Sequence, residues 1–204
     1  MPVSHENKFV FVHIPKAGGS SIEKAFGIYG IDNKGLNDKV DRNIMFGKDS
    51  QHYPYGKILT ESDRDLSSYF SFAFVRNPWS KIVSEFFWRR CWDKRIKDLS
   101  LKQFARRVCE FDLRNPRVCY HFLEQFTFIY NEDRLMVDFV GKFENLQQDL
   151  DLACELAGIT KRQLPHTNKS NHEHYSQYYD DETRSIVAEK YAKDIEYFNY
   201  KFGE

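Results

Sequence analysis

Lys16, Gly18, Gly19, Ser20 and Ser21 fall together in the segment KFVFVHIPKAGGSSIEKAFG, residues 8–27. One full positive charge, two hydroxyls and two adjacent glycines are the parts of an anion site. Adjacent glycines let the backbone turn tightly and come close to a ligand. A helix that starts at Ser20 points its unbonded N–H groups and positive dipole end into the same space. The anion that fits such a turn is a phosphate or a group of similar shape. The order of residues is not that of a Walker A loop, whose lysine follows its glycines, whereas Lys16 precedes them. The plain alternative is a strand-to-helix turn with a surface lysine.

A second set of candidates lies in FAFVRNPWSKIVSEFFW, residues 72–88. Arg76 stands at the carboxyl end of an expected strand, the edge at which ligands bind in open α/β sheets. Asn77 and Ser84 are seven residues apart and share a helix face two turns apart. The planar fork of Arg76 is long enough to reach that face and grip an oxyanion. An arginine capping the sheet edge beside an unremarked helical serine is the structural alternative. A nucleotide with phosphates at both ends fits two anion sites that follow two strands of one sheet.

The elements that hold these residues follow from the hydrophobic pattern. Lys8–Ile14 reads as a short buried strand that Pro15 ends, because proline has no N–H for the ladder. Ser20–Phe26 reads as the first turns of a helix, with Ile22, Ala25 and Phe26 on one face. Ser71–Val75 is a second strand. Asn77 then caps a helix with Pro78 at its first position, running to about Trp92. Further helices are expected over Leu101–Phe111 and around Tyr120–Phe128, and a third strand over Val137–Phe143. Asn145–Ala157 reads as a helix closed by Gly158. Asp180–Phe198 reads as one long amphipathic helix carrying Ile186, Val187, Tyr191, Ile195 and Phe198. Residues 30–50 and Leu164–Tyr178 read as loop. Strands alternating with helices imply an α/β three-layer sandwich with a mainly parallel central sheet, as a single domain over residues 1–204.

Thirty basic residues balance thirty acidic ones, which argues against nucleic acid as a partner, since that needs a basic surface. Aromatic residues make up 16% of the chain, enough for a packed core and a ring-binding pocket and too many for disorder. No apolar run has the length of a membrane span, and MPVSHENK lacks the apolar core of a signal peptide, so a soluble, cytoplasmic chain is expected. Cys91, Cys109, Cys119 and Cys154 show no C-x-x-C pairing and read as free buried thiols.

The motif HIPKAGGSS resembles the 5′-phosphosulfate loop of sulfotransferases that use 3′-phosphoadenosine 5′-phosphosulfate (PAPS). FVRNPWSKIVSEF resembles their 3′-phosphate motif, an R-N-P with a serine eight residues after the arginine. VDFVGKFENLQQDL, LPHTNKS and YAKDIEYFNYKF are similar to the carbohydrate branch of that family, which includes heparan 2-O- and chondroitin-type enzymes and bacterial relatives. The resemblance spans nearly the whole chain. It implies a P-loop-like nucleotide-binding fold and sulfuryl transfer from PAPS to a hydroxyl acceptor, with a glycan as partner; no metal is expected, because the Lys16–Ser21 turn holds no acidic residue and a sulfuryl group carries less charge than a terminal phosphoryl. Carried over by residue, it implies that Lys16, Ala17, Gly18, Gly19, Ser20 and Ser21 hold the 5′ side of PAPS. Arg76 and Ser84 would hold its 3′-phosphate, and Asn168, Lys169 and Ser170 resemble a segment that closes over the nucleotide. Where this chain has Ala17 the family often has Thr or Cys, and where it has Ser20 the family often has Thr. The first change loses a side-chain contact and the second keeps the hydroxyl.

Lys16 and the loop amides would stabilise charge on the sulfuryl oxygens and the leaving phosphate. The acceptor hydroxyl must also lose a proton, for which a histidine is suited. His52, in SQHYPYG, stands where the family branch places a catalytic histidine, although its surroundings depart from the usual H-x-T-A. His13 reads as a satisfied core residue and as the next candidate base. His172 and His174 lack a third metal ligand nearby in sequence and read as solvated loop. Phe86, Phe87, Trp88, Arg89, Arg90 and Trp92 are candidates for the acceptor pocket, with core packing the alternative for the aromatics. Two other functions stand beside the leading one: a P-loop-type kinase, opposed by the order of Lys16 and the glycines, and a non-catalytic nucleotide-binding module.

Overall fold

The computed structural model describes residues 3–28, 50–91, 93–109, 120–165 and 173–204. In chain order its strands are β1 Val3–Ser4, β2 Phe9–Val12, β3 Phe70–Val75, β4 Tyr130–Asn131, β5 Arg134–Leu135 and β6 Phe139–Lys142. Its helices, numbered the same way, are α1 Gly19–Ala25, α2 Tyr55–Glu61, α3 Pro78–Arg90, α4 Leu101–Cys109, α5 Phe126–Ile129, α6 Leu146–Leu156, α7 Asp181–Lys190 and α8 Ala192–Tyr197. The expected loop over residues 30–49, Trp92, Cys119 and the segment with Asn168, Lys169, Ser170 and His172 lie outside the described residues. The chain forms two compact units, Met1–Val75 with Thr127–Thr167, and Arg76–Phe126 with Asn168–Glu204.

The first unit holds the sheet, in the order β1-β2-β3-β6. Its first pair is antiparallel, while β2 runs parallel to β3 (Phe9↔Phe70, Val12↔Ala73) and β3 parallel to β6 (Phe72↔Phe139, Val75↔Lys142). This is the mainly parallel α/β arrangement that the pattern implies. Every side chain of β2 is buried, as strands covered on both faces require. The β3–β6 register is pinned at its start: Ser71 donates from N and Oγ to Asp138 Oδ2 at 2.8 and 2.7 Å. The helix closed by Gly158 forms as α6, with Leu150, Ala153 and Cys154 buried; Gly158 N donates to Glu155 O at 3.1 Å. The helix α2 has no counterpart in the sequence reading, since only Tyr55 and Ile58 of its seven residues are buried.

The second unit is helical. Asn77 caps α3 by accepting from Trp79 N and Ser80 N, with Pro78 at the first position, and the helix ends at Arg90, short of Trp92. Its buried face (Trp79, Ile82, Val83 and Phe86) packs with Leu101, Phe104, Ala105 and Val108 of α4 and with Val187 of α7. Two expectations need correction here. The long helix from Asp180 is divided at Tyr191, whose φ of −115° and ψ of 34° separate α7 from α8. The helix expected around Tyr120–Phe128 is interrupted as well: residues 120–122 are helical, and α5 begins only at Phe126.

Hydrogen-bond accounting explains the interruption. A continuous helix would send Gln125 N to His121 O and Phe126 N to Phe122 O. Instead Lys81 Nζ donates to His121 O at 3.0 Å and Tyr191 Oη to Phe122 O at 3.2 Å. The two displaced amides donate to the Asp194 carboxylate, Gln125 N at 2.9 Å and Phe126 N at 2.8 Å. Asp194 itself is fully buried, in place of the apolar residue that a strict amphipathic face would carry. Among the described residues, no helix is long and apolar enough to cross a membrane. Cys91 and Cys109 are exposed, contrary to expectation, and Cys154 is buried.

Burial pushes the Asp194 carboxyl up from 3.8 to about 6, against the pull of its amide donors and of Lys81. The folded state therefore holds this proton between those pH values while the unfolded chain releases it. Stability consequently falls as pH rises through that window. Unfolding titrations from pH 4 to pH 7 should show the stability of the wild type falling relative to Asp194→Asn by about 2 kcal/mol. A pH-independent difference would contradict the buried carboxylate.

Candidate functional site

In the first unit, β2 runs out at Val12, and the chain turns through His13, Ile14 and Pro15 into Lys16. Lys16 has a φ of 67° and Gly18 a φ of 85°, two left-handed residues around Ala17. The left-handed region is uncommon for a side chain such as lysine, and such residues concentrate at ligand clamps. Ser21 N and Ile22 N bond back to Gly18 O at 3.0 and 3.4 Å, which starts α1 one residue earlier than expected. Gly18 is the N-cap of α1 and supplies no side-chain cap. Lys16, Ser20 and Ser21 are half-buried, while Ala17 faces the core. The turn thus presents a cation, hydroxyls and backbone amides, with no carboxylate among residues 16–21. That donor set fits the anionic 5′ end of PAPS.

Behind the turn lies a cluster of which the sequence showed only parts. His13 is 5% exposed, and its Nδ1 is 2.6 Å from Glu23 Oε1 on α1. Glu23 Oε2 accepts from Gln51 Nε2 at 2.7 Å. His52 Nδ1 lies 3.0 Å from the backbone oxygen of His13, and the two rings meet edge to face at 4.7 Å. A carbonyl oxygen only accepts, so His52 carries its proton on Nδ1 and, when neutral, its lone pair on Nε2. The structure therefore brings His52 to the strand that leads into the Lys16 turn, and it makes His13 the satisfied core residue that its position implied. The sequence pattern alone does not single out Glu23 or Gln51. A charged residue directly after Ile22 in a short helix on a buried sheet was the available signal for Glu23.

The two glycines also have a packing role. A Cβ on Gly19 would lie 2.3 Å from His13 Cδ2 and Nε2, and one on Gly18 would lie 2.8 Å from Leu146 Cδ2. Gly19 is thus required by the His13 ring as well as by the turn.

In the second unit, Arg76 is the first residue after β3 and is 7% exposed. Its Nε donates to Ser80 Oγ at 3.0 Å. Its backbone is clamped by one side chain: Arg76 N donates to Gln125 Oε1, and Gln125 Nε2 donates to Arg76 O, both at 2.8 Å. Ser84 is half-buried one helical turn beyond Ser80. Ser80, at i+4 from Arg76 on α3, is the serine that the guanidinium meets, and the spacing alone would have allowed it. Lys169 and Ser170 lie outside the described residues.

Of the candidates for an acceptor pocket, Phe86 and Arg89 are buried, Arg90 is exposed and Phe87 is partly covered. Arg89 Nε donates to buried Glu85. Trp88 is 42% exposed and stacks on His121 with ring centroids 5.4 Å apart. His174 Nδ1 is 2.8 Å from Ser176 Oγ. Among the described residues, no group of three or more His, Cys, Asp or Glu side chains is arranged to hold a metal ion.

Gly19→Ala should displace the His13 ring and reduce stability by roughly 1–3 kcal/mol, the usual cost of overpacking. Thermal unfolding measures it, and an unchanged midpoint would contradict the contact.

A profile of the Sulfotransferase family matches residues 1–201. An uncharacterized protein of Archaeoglobus fulgidus is 30% identical over 94 residues, covering 46% of this chain and 72% of that protein. Carbohydrate sulfotransferase 9 of Homo sapiens is 23% identical over 228 residues, covering 95% of this chain and 47% of that protein. The chain thus spans about half the length of the human relative. No solved structure matches. With the match extending over almost every residue, and taking in both the Lys16 turn and the Arg76 segment, the chain belongs to the Sulfotransferase family.

Proposed function

We propose that this PAPS-dependent sulfotransferase acts on a hydroxyl of a carbohydrate, as a single domain over residues 1–204. The family match carries the reaction class. The carbohydrate acceptor is supported by the name of the human relative and by the branch that the sequence resembles. PAPS, when bound, supplies an activated sulfuryl group.

The residues divide the work as follows. Lys16, Gly18, Gly19, Ser20 and Ser21, with the backbone of Ala17, hold the 5′ side through charge, hydroxyls and amides. Arg76 and Ser84 hold the 3′-phosphate, with Ser80 steadying the guanidinium. Lys169 and Ser170 are assigned to the nucleotide by the sequence resemblance alone. The acceptor oxygen attacks sulfur as the bond from sulfur to the phosphate oxygen breaks, and the acceptor proton passes to His52 Nε2. The proton on His52 Nδ1, held by the His13 carbonyl, supports that assignment because it leaves the lone pair on Nε2. Lys16 opposes the charge that grows on the leaving phosphate. Electrostatic positioning by fixed donors makes a metal unnecessary.

Four measurements test this reading. A panel of glycans, phenols and lipids incubated with labelled PAPS should yield labelled glycan; label on phenols alone would overturn the acceptor class. Turnover should survive EDTA, and a loss restored by Mg²⁺ would point to metal-assisted phosphoryl chemistry instead. His52→Ala should keep nucleotide affinity while its single-turnover rate falls by roughly 10²–10⁴, and it should lose the acid limb of the wild-type pH profile. Lys16→Ala should weaken both binding and rate, because its charge acts in the ground state and the transition state alike. Full rate in the His52 variant would move the base elsewhere, with His13 the next candidate.

A further inference from the structure

The clamp on Arg76 is built from groups that have no contact with solvent. Gln125 and Asp194 are both 0% exposed, although a glutamine and an aspartate at these positions cost more to bury than apolar residues would. Their bonds form one chain. Asp194 Oδ2 accepts from Gln125 N at 2.9 Å and from Gln125 Nε2 at 3.2 Å, while Oδ1 accepts from Phe126 N at 2.8 Å. The Gln125 amide then uses its oxygen and its second N–H on the N–H and C=O of Arg76, both at 2.8 Å. Asp194 thereby fixes which way the Gln125 amide faces, since a flipped amide would set its oxygen against the carboxylate.

The position of the clamp gives it a use. The β3–β6 ladder ends at Val75↔Lys142, and Arg76 follows it directly. A side-chain amide that donates and accepts opposite one residue does there what a neighbouring strand would do. From that fixed backbone, the guanidinium reaches Ser80.

We propose that Asp194 and Gln125 are positioning residues for recognition of the 3′-phosphate: the buried Asp194–Gln125 relay sets the Arg76 backbone, and with it the selectivity for nucleotides that carry this phosphate. The proposal rests on the assignment of Arg76 to the 3′-phosphate. A purely structural role would weaken all nucleotides alike. The relay weakens only those that Arg76 reads, because a misplacement of about 1 Å is enough to lose an oriented contact.

The test compares 3′-phosphoadenosine 5′-phosphate with AMP, which lacks only the 3′-phosphate. Calorimetry on the full chain gives the affinity ratio for the wild type, Arg76→Ala, Asp194→Asn and Gln125→Glu. The two relay variants keep the shape of the side chain, and each removes part of the bonding pattern. Arg76→Ala should cut the preference for the 3′-phosphorylated nucleotide by roughly 10–100-fold. Each relay variant should cut it by roughly tenfold with AMP affinity unchanged, and the KM for PAPS should rise while kcat is held. If Arg76→Ala keeps the preference, the phosphate assignment falls and the relay with it. If Arg76→Ala loses the preference and both relay variants keep it, or weaken AMP equally, the relay alone is overturned. Circular dichroism and the unfolding midpoint establish that each variant is folded; should one not fold, the other isosteric variant decides.

Discussion

A carboxylate removed from water is stable only where donors meet its oxygens, and two such carboxylates hold the candidate chemistry in place. In the first unit Glu23 is 2% exposed and binds His13 on one oxygen and Gln51 on the other. That contact lays the His13 ring against the backbone of residue 19, which must then be glycine. The backbone oxygen of the same histidine holds His52. In the second unit, Asp194 gathers the amides of Gln125 and Phe126, which interrupts a helix and turns the Gln125 side chain toward Arg76. Asp194 is remote in sequence from Arg76 while Glu23 lies ten residues from His13, and each acts through an intermediary.

Such groups are poor sources of stability. Replacing a buried polar network with apolar residues of similar volume is often neutral or stabilising, whereas removing one member leaves its partners unsatisfied. The Asp194 carboxyl, raised to about 6, shows how strongly burial opposes its charge even with amide donors in place. At neutral pH it is nevertheless ionised, and only the ionised form accepts at both oxygens without offering a proton. A fold selected for stability alone has no reason to keep it.

Much of the frame was legible in the sequence because it rests on local rules. The run FVFV with Pro15 beyond it, the Asn77-Pro78 helix start and Gly158 after α6 all appear where propensity and capping chemistry place them. The clearest error came from side chains of distant segments competing for backbone groups. Tyr191 and Lys81 take the carbonyls that a helix around Tyr120–Phe128 would have used, and nothing in that segment announces it. The periodicity from Asp180 onward was real, but its buried face includes Thr183 and Asp194, polar residues that a hydrophobic pattern passes over. In the candidate site, Lys16, the glycines and Arg76 are legible as candidates because a motif carries them. Glu23, Ser80, Gln125 and Asp194 become visible only once the fold brings them to those motif residues.

The balance of thirty basic and thirty acidic residues also constrains how an anionic nucleotide is held. A neutral chain has no net field to concentrate a polyanion, so affinity has to come from donors fixed at the point of contact. The helix after the Lys16 turn has only seven residues, which limits what its dipole adds, so in the proposed site discrete amides, hydroxyls and the lysine charge would do most of the binding. Discrete donors act only at the right distance and angle. On the proposed reading the placement of each one is decisive, and the structure holds a left-handed lysine backbone, a glycine that yields its space to a histidine ring, and an arginine whose own peptide groups are gripped from both sides. Where long-range charge is absent, geometry carries the recognition, and the buried polar groups are the means by which the fold holds that geometry.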